Sequence, residues 1–88
     1  MDSVQIIGGI AGVLIVSSLL PQLILIIKNK SVKDVSLKTY CILFVAEIAW
    51  ILYGVLINDL QIILTNIVSG FITLLILLFG IYYNWIVT

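Results

Sequence analysis

From Val4 to Ile27 the chain carries no acidic or basic side chain, and from Leu60 to its end it carries none either. Few folds tolerate such runs. About 20 apolar residues at 1.5 Å per residue cross the roughly 30 Å hydrocarbon core of a bilayer. Three spans of this kind are expected, Val4–Ile27, Thr39–Ile57 and Leu60–Tyr82. They must be helices, because lipid cannot satisfy free backbone N–H and C=O groups and three strands cannot close a barrel. Composition agrees. Hydrophobic residues make up 64% of the 88 and charged residues 9%, against about 25% charged in a soluble domain. Such a chain cannot cover itself with polar side chains, so its surplus apolar area must face lipid. The expected fold class is an all-α membrane protein, one domain over residues 1–88 that forms a three-transmembrane-helix bundle.

The same composition excludes several functions. With no histidine and only Cys41, the chain offers no intramolecular disulfide and no metal cluster. Cys41 reads as a small hydrophobe within a helix. Zero net charge gives no footprint for nucleic acid. No Ser-His-Asp set, Gly-rich phosphate loop or paired-carboxylate site is present, so neither an enzyme nor a cofactor is expected. Met1-Asp2-Ser3 lacks the basic start of a signal peptide, and the apolar run after it is too long for one. The first helix is therefore expected to be retained.

The two connectors differ. Lys28 to Lys38 is a polar loop holding all four lysines, whereas the second connector is only Asn58-Asp59. The positive-inside bias puts the lysine loop in the cytoplasm, the N-terminus and Asp59 outside, and the C-terminus inside. Asn58 or Asp59 can cap the third helix, and a carboxylate suits the positive end of its dipole. Tyr82, Tyr83 and Trp85 fit an aromatic belt at the inner face.

Polar residues within the spans are the informative ones. Pro21 lacks an N–H and its ring clashes with the Ser17 carbonyl, so a kink or hinge is expected there. Gln22 or the Ser17 and Ser18 hydroxyls can satisfy the freed groups; a static kink is the plainer reading. Gly8 and Gly12 form a G-x-x-x-G pair, read as ordinary close packing within the bundle. In the second span Glu47, Trp50, Tyr53 and Gly54 share one broad face at spacings of three and four. A mid-depth Trp50 either packs as a core side chain or offers its flat face to a ligand, and composition alone favours packing. Tyr53, nearer the outer surface, is open to belt or gate roles. In the third span Asn66, Ser69, Gly70 and Thr73 recur at i, i+3, i+4 and i+7. That stripe must face protein or a wet cavity, either to bond a neighbouring helix or to hold a polyhydroxylated ligand. Glu47 is the one carboxyl well inside a span. A charged carboxylate at the bilayer centre costs about 2.5–3.5 kcal/mol, so Glu47 is expected as a neutral hydrogen-bond donor beside Trp50.

Taken in order, Pro21-Gln22, Asp34-Val35-Ser36, Trp50-Ile51-Leu52-Tyr53-Gly54, and Asp59 followed by Thr65-Asn66 resemble the motifs of the bacterial SemiSWEET family across nearly the whole chain. The resemblance implies a half-size sugar transporter of the PQ-loop type in the bacterial inner membrane. The third helix would pack between the first and second. Two copies would pair in parallel as a homodimer, giving a six-helix transporter with a central pocket exposed alternately to either side. Carried over by position, Trp50 would stack on the sugar and Asn66 would bond its hydroxyls. Pro21 and Gln22 would form the hinge, and Tyr53 and Asp59 the outer gate. Ser69, Thr73 and Glu47 are candidates for the pocket or for a proton-linked role.

The chain also departs from the family pattern. Leu56-Ile57-Asn58 stand where a basic residue often precedes the outer acid, so a Tyr53 hydrogen bond rather than a salt bridge is the expected latch. At the inner end Thr39 and Leu43 are modest, so Tyr40 or Phe44 would provide the bulk. Glu47 lies outside the pattern. The expected function is a facilitative uniporter of mono- or disaccharides. Its rivals are a proton-coupled carrier of another small solute and a non-transporting membrane subunit. Three spans cannot easily enclose a solute path, which independently argues for at least a dimer.

Overall fold

The computed structural model describes residues 2–33 and 35–87. Three helices follow in order: α1 Ser3–Asn29, α2 Leu37–Leu56 and α3 Leu60–Ile81. A π-helical segment, Tyr82–Val87, continues from α3. Each helix is long and apolar enough to cross a membrane. The molecule measures 49 × 21 × 14 Å, longer than the roughly 30 Å hydrocarbon core.

Short polar side chains set the helix boundaries. Asp2 caps α1 by accepting from the Gln5 N–H at 2.8 Å. Ser36 caps α2, accepting from the Thr39 N–H at 3.2 Å and from the Thr39 hydroxyl at 2.9 Å. Asp59 caps α3 by accepting from the Ile62 N–H at 3.2 Å. These bonds satisfy N–H groups that a helix start leaves free. Asn58 serves the other side of the turn. At φ 57° it adopts the left-handed conformation. The Asn58 N–H then donates to the Val55 carbonyl at 3.2 Å, and the Asp59 N–H to the Gly54 carbonyl at 2.9 Å. That pair of bonds is a Schellman closure, in which asparagine is the usual substitute for glycine. Of the two candidate caps for the third helix, Asp59 takes that role and Asn58 closes the second.

Among the described residues α1 and α2 each pack on α3 and not on one another, so α3 is the central helix. The register follows from the glycine contacts. A Cβ on Gly12 would lie 2.5 Å from Thr65 Oγ1, and one on Gly8 2.6 Å from Gln61 Oε1. Two glycines four apart thus meet two polar residues four apart on a parallel helix. The Gln61 amide also donates to the Gln5 carbonyl at 2.7 Å. On the antiparallel side, Gly54 faces Ile62 and Ile63, Gly70 faces Glu47, and Gly80 faces Leu37. The apolar core, Leu19 and Ile26 with Ile72 and Ile76, is flanked by Val32, Val35, Tyr40 and Leu43. It therefore sits toward the lysine-loop end.

α1 passes through Pro21 as one continuous helix. The Ser18 hydroxyl donates to the Ile15 carbonyl at 2.7 Å, two residues before the Ser17 carbonyl that proline frees. The third helix stops at Ile81 and the chain widens into the π-helical segment. There the Tyr83 ring stacks on Phe79, centroids 6.2 Å apart, and meets Tyr82 edge-on at 5.2 Å.

Candidate functional site

Trp50 and Asn66 line one groove of about 320 Å³. That volume is at the lower end of the roughly 300–1,000 Å³ typical of small-ligand sites. Gly8, Ala11 and Gly12 of α1 contribute to its lining, with Thr65 and Gln61 on α3 and Asp59 at the α2–α3 turn. Gly8 and Gly12 let α1 approach α3 so closely that Gln61 and Thr65 take the space a Cβ would need, and this contact forms one side of the groove. Helical spacing explains the convergence of Trp50 and Asn66: Gly54 meets Ile62 and Ile63, and antiparallel packing then carries Trp50 toward Asn66 one turn deeper.

The two side chains offer complementary chemistry. Trp50 is 51% exposed and its ring meets Tyr53 edge-on, centroids 5.5 Å apart at 82°. That arrangement occupies the edge of one ring and leaves an aromatic face open for stacking. Asn66 is half-buried and donates one N–H to the Ile62 carbonyl at 2.9 Å. Its second N–H and its carbonyl oxygen are left for a ligand. A flat apolar ring beside an amide suits a solute with one apolar face and several hydroxyls.

Tyr53, 49% exposed, lies beside Trp50 toward the Asp59 end. The Asp59 carboxylate is engaged by its own helix start. Among the described residues no hydrogen bond joins Tyr53 to Asp59, so the expected latch is not formed within one chain. At the opposite end Tyr40 and Leu43 pack against the core and Phe44 is half-buried. Pro21 is exposed, and half-buried Gln22 faces a separate cavity near the lysine loop. Of the motif Asp34-Val35-Ser36, Asp34 lies outside the described residues, Val35 packs on the core and Ser36 caps α2.

The remaining polar stripe points elsewhere. Ser69 and Thr73 are 1% and 0% exposed, and Glu47 is 4% exposed. Gly70 admits the Glu47 Cβ, which would stand 3.9 Å from a Cβ placed there. The Ser69 hydroxyl donates to the Asn66 backbone carbonyl at 3.4 Å, while Glu47 Oε1 and Thr73 Oγ1 are enclosed with no hydrogen-bond partner among the described residues. Glu47, Ser69 and Thr73 therefore lie sealed in the α2–α3 seam, whereas Asn66 reaches the groove. Two groove residues, Gln61 and the floor glycine Gly8, were not singled out as site residues from sequence. The signal was present in the matched spacing of Gly8 and Gly12 with Gln61 and Thr65.

Comparison with known proteins supports the family. The PQ loop repeat pattern matches residues 3–63, which include Pro21-Gln22. A sugar transporter SemiSWEET of Leptospira biflexa is 37% identical over 73 residues, covering 83% of this chain and 86% of the relative. A second, from Escherichia coli, is 28% identical over 72 residues, covering 82% of this chain and 81% of the relative. The crystal structure of a bacterial homologue of SWEET transporters superposes with a TM-score of 0.89 at 39% identity. It covers 93% of this chain and 99% of that one. With its three apolar helices, its central α3 and these relatives, the chain is a multi-pass membrane protein that belongs to the SemiSWEET family of PQ loop repeat proteins.

Proposed function

We propose that this protein is a facilitative sugar carrier that works by alternating access as a parallel homodimer. The observation that carries the reading is the meeting of Trp50 and Asn66 on one open groove. An indole face stacks on the apolar C–H face of a sugar ring, and the Asn66 amide pairs with its hydroxyls. The relatives described as sugar transporters add support. The packing of α1 and α2 on α3 supports the dimer, because it leaves the groove open and a second copy related by an axis along the membrane normal would close it.

In this reading Trp50 and Asn66 of each copy bind the sugar. Pro21 and Gln22 flex α1 at the lysine-loop end, where Tyr40, Leu43 and Phe44 narrow the path. Tyr53 and Asp59 close the other end. The lysine loop faces the cytoplasm of a bacterial cell, with the N-terminus outside and the C-terminus inside. The deciding experiment is uptake of a panel of labelled mono- and disaccharides into protein-loaded liposomes with no ion gradient. Saturable, downhill entry of at least one sugar is expected; no entry of any sugar defeats the proposal.

A second reading rests on the enclosed, unpartnered Glu47 carboxyl. A proton-coupled carrier of another small solute would use such a group. An imposed pH gradient separates the two readings, because only the coupled carrier accumulates solute against its gradient.

A further inference from the structure

All four lysines lie within or beside the connector between α1 and α2. Against them the same stretch carries one carboxylate, Asp34, so three positive charges are left at one end of the molecule. Among the described residues Lys28, Lys30, Lys33 and Lys38 make no ion pair. Beside this charge is a second cavity of about 330 Å³, lined by Gln22, Leu25, Ile26 and Asn29 of α1 and by Ser31, Lys33 and Val35 of the connector. It is distinct from the Trp50 groove. Gln22 stands about two turns, or about 10 Å, beyond Ile15, the last α1 residue of that groove.

We propose that this cavity binds the phosphodiester headgroup of an anionic membrane lipid. Its two-sided lining is the first argument. Lys33, Ser31, Asn29 and Gln22 present donors, and an ammonium is a point-charge partner for phosphate. Leu25, Ile26 and Val35 give an apolar wall that a free inorganic anion would not use. The Lys33 N–H already donates to the Ser31 hydroxyl at 3.1 Å, folding the connector so that both residues border the cavity.

Depth is the second argument. From Asn29 to Gln22 the α1 wall spans about 10 Å. The interfacial layer of one leaflet, taken from a bilayer of about 40–45 Å around a core of about 30 Å, is about 5–8 Å thick. With the charged ends of Lys28 and Lys30 at headgroup level, a wall of this length reaches the top of the acyl region. Exposed Ile24 and Leu25 on the same stretch of helix offer the lipid chains an apolar track. Basic pockets at the ends of transmembrane helices hold anionic headgroups for these reasons. The site stands whether or not the protein carries sugar, since none of its lining residues belongs to the Trp50 groove.

The test uses the full chain reconstituted in vesicles of phosphatidylcholine mixed with phosphatidylglycerol, then released for native mass spectrometry. Phosphatidylglycerol should be retained in preference to phosphatidylcholine. Lys33→Gln should lower that retention about five-fold, the loss expected for one lysine near an anionic headgroup. Lys38→Gln removes the same charge from a residue outside the lining and should change retention far less. Equal retention of the two lipids overturns the proposal. So does an equal loss from Lys33→Gln and Lys38→Gln, which would mean diffuse attraction to the loop. Displacement of the bound lipid by inorganic phosphate would reassign the cavity to a soluble anion.

Discussion

Trp50 and Glu47 stand one turn apart on α2, yet they occupy opposite environments. Trp50 is 51% exposed on an open groove, and Glu47 is 4% exposed in the seam against α3. The third helix shows the same split. Asn66 reaches the groove, while Ser69 and Thr73, one and two turns on, are enclosed. On the groove side Gly8 and Gly12 let α1 close onto Gln61 and Thr65 of α3, and the groove opens beside that contact. The seam side is closed around Glu47 Oε1 and Thr73 Oγ1, which have no hydrogen-bond partner among the described residues. Polarity inside a membrane span is therefore not sufficient to mark a binding residue. Access decides, and access is set by what the neighbouring helix places opposite.

The comparison breaks most readily at the groove. Trp50→Ala and Asn66→Ala should each reduce sugar uptake by about 5- to 150-fold, the range for losing a ligand-paired group worth roughly 1–3 kcal/mol. Thermal stability should hardly move, because both side chains are only partly buried. Uptake assays paired with melting curves separate the two effects. Normal transport by both variants would remove these residues from the path.

At the seam the expected signs are opposite. Glu47→Leu removes an enclosed, unpartnered carboxyl and should raise stability by about 1–3 kcal/mol, the desolvation cost of an unsatisfied polar group. Glu47 does not line the groove, so Glu47→Gln should keep uptake. A rise in melting temperature on Glu47→Leu together with lost uptake would show a group retained for function at the expense of stability. If Glu47→Gln abolishes transport and a pH gradient drives accumulation in the wild type, Glu47 is a coupling site and the uniport reading fails.

A smaller effect is expected where the groove meets α1. A methyl group on Gly12 would stand 2.5 Å from Thr65 Oγ1 and 3.2 Å from its Cγ2. Gly12→Ala must therefore push α1 from α3 or turn the Thr65 side chain. Overpacking of this kind costs about 1–3 kcal/mol. The double variant Gly12→Ala with Thr65→Ala removes both the oxygen and the methyl that the new Cβ meets and should recover part of the loss in a melting experiment. No recovery would mean that the two helices are not in contact there.

These contrasts also show what the sequence made legible. Three apolar runs and two connectors were enough to specify an all-α bundle, since lipid leaves no other backbone option. The family resemblance, carried by Pro21-Gln22 and the Trp50–Gly54 segment, agrees with the relatives found. What the pattern could not divide was the polar stripe on α3. Asn66 and Thr73 share a face by periodicity, but a helical face is about 100° wide, and α2 covers only part of it. Which part depends on the crossing at Gly70 and Glu47, a tertiary fact. Gln61 by itself carries no such signal, because one glutamine at a helix start reads as interfacial. Only its match to Gly8 on the parallel helix gives it a place in the groove.

Pro21 offers the subtlest test, because it touches neither the groove nor the sealed seam. It lies in α1 between Ile15, which borders the groove, and the lysine-loop end. Proline has no N–H to give the Ser17 carbonyl, so α1 is one hydrogen bond short at that turn although it stays continuous. Pro21→Ala supplies the missing donor and removes the ring clash, leaving a stiffer helix. Pro21 is exposed, so little packing is lost with the ring. Sugar affinity, measured by calorimetry, should stay close to wild type, since Trp50 and Asn66 keep their geometry. The rate of exchange across the liposome membrane should fall, because bending α1 then requires breaking a bond that the wild type never makes. The change expected is modest, on the order of the 0.5–1.5 kcal/mol net worth of one hydrogen bond. Unchanged exchange with unchanged affinity would make Pro21 a fixed feature of a rigid helix, and the moving element would then have to be sought at the α2 start beside Tyr40 and Phe44.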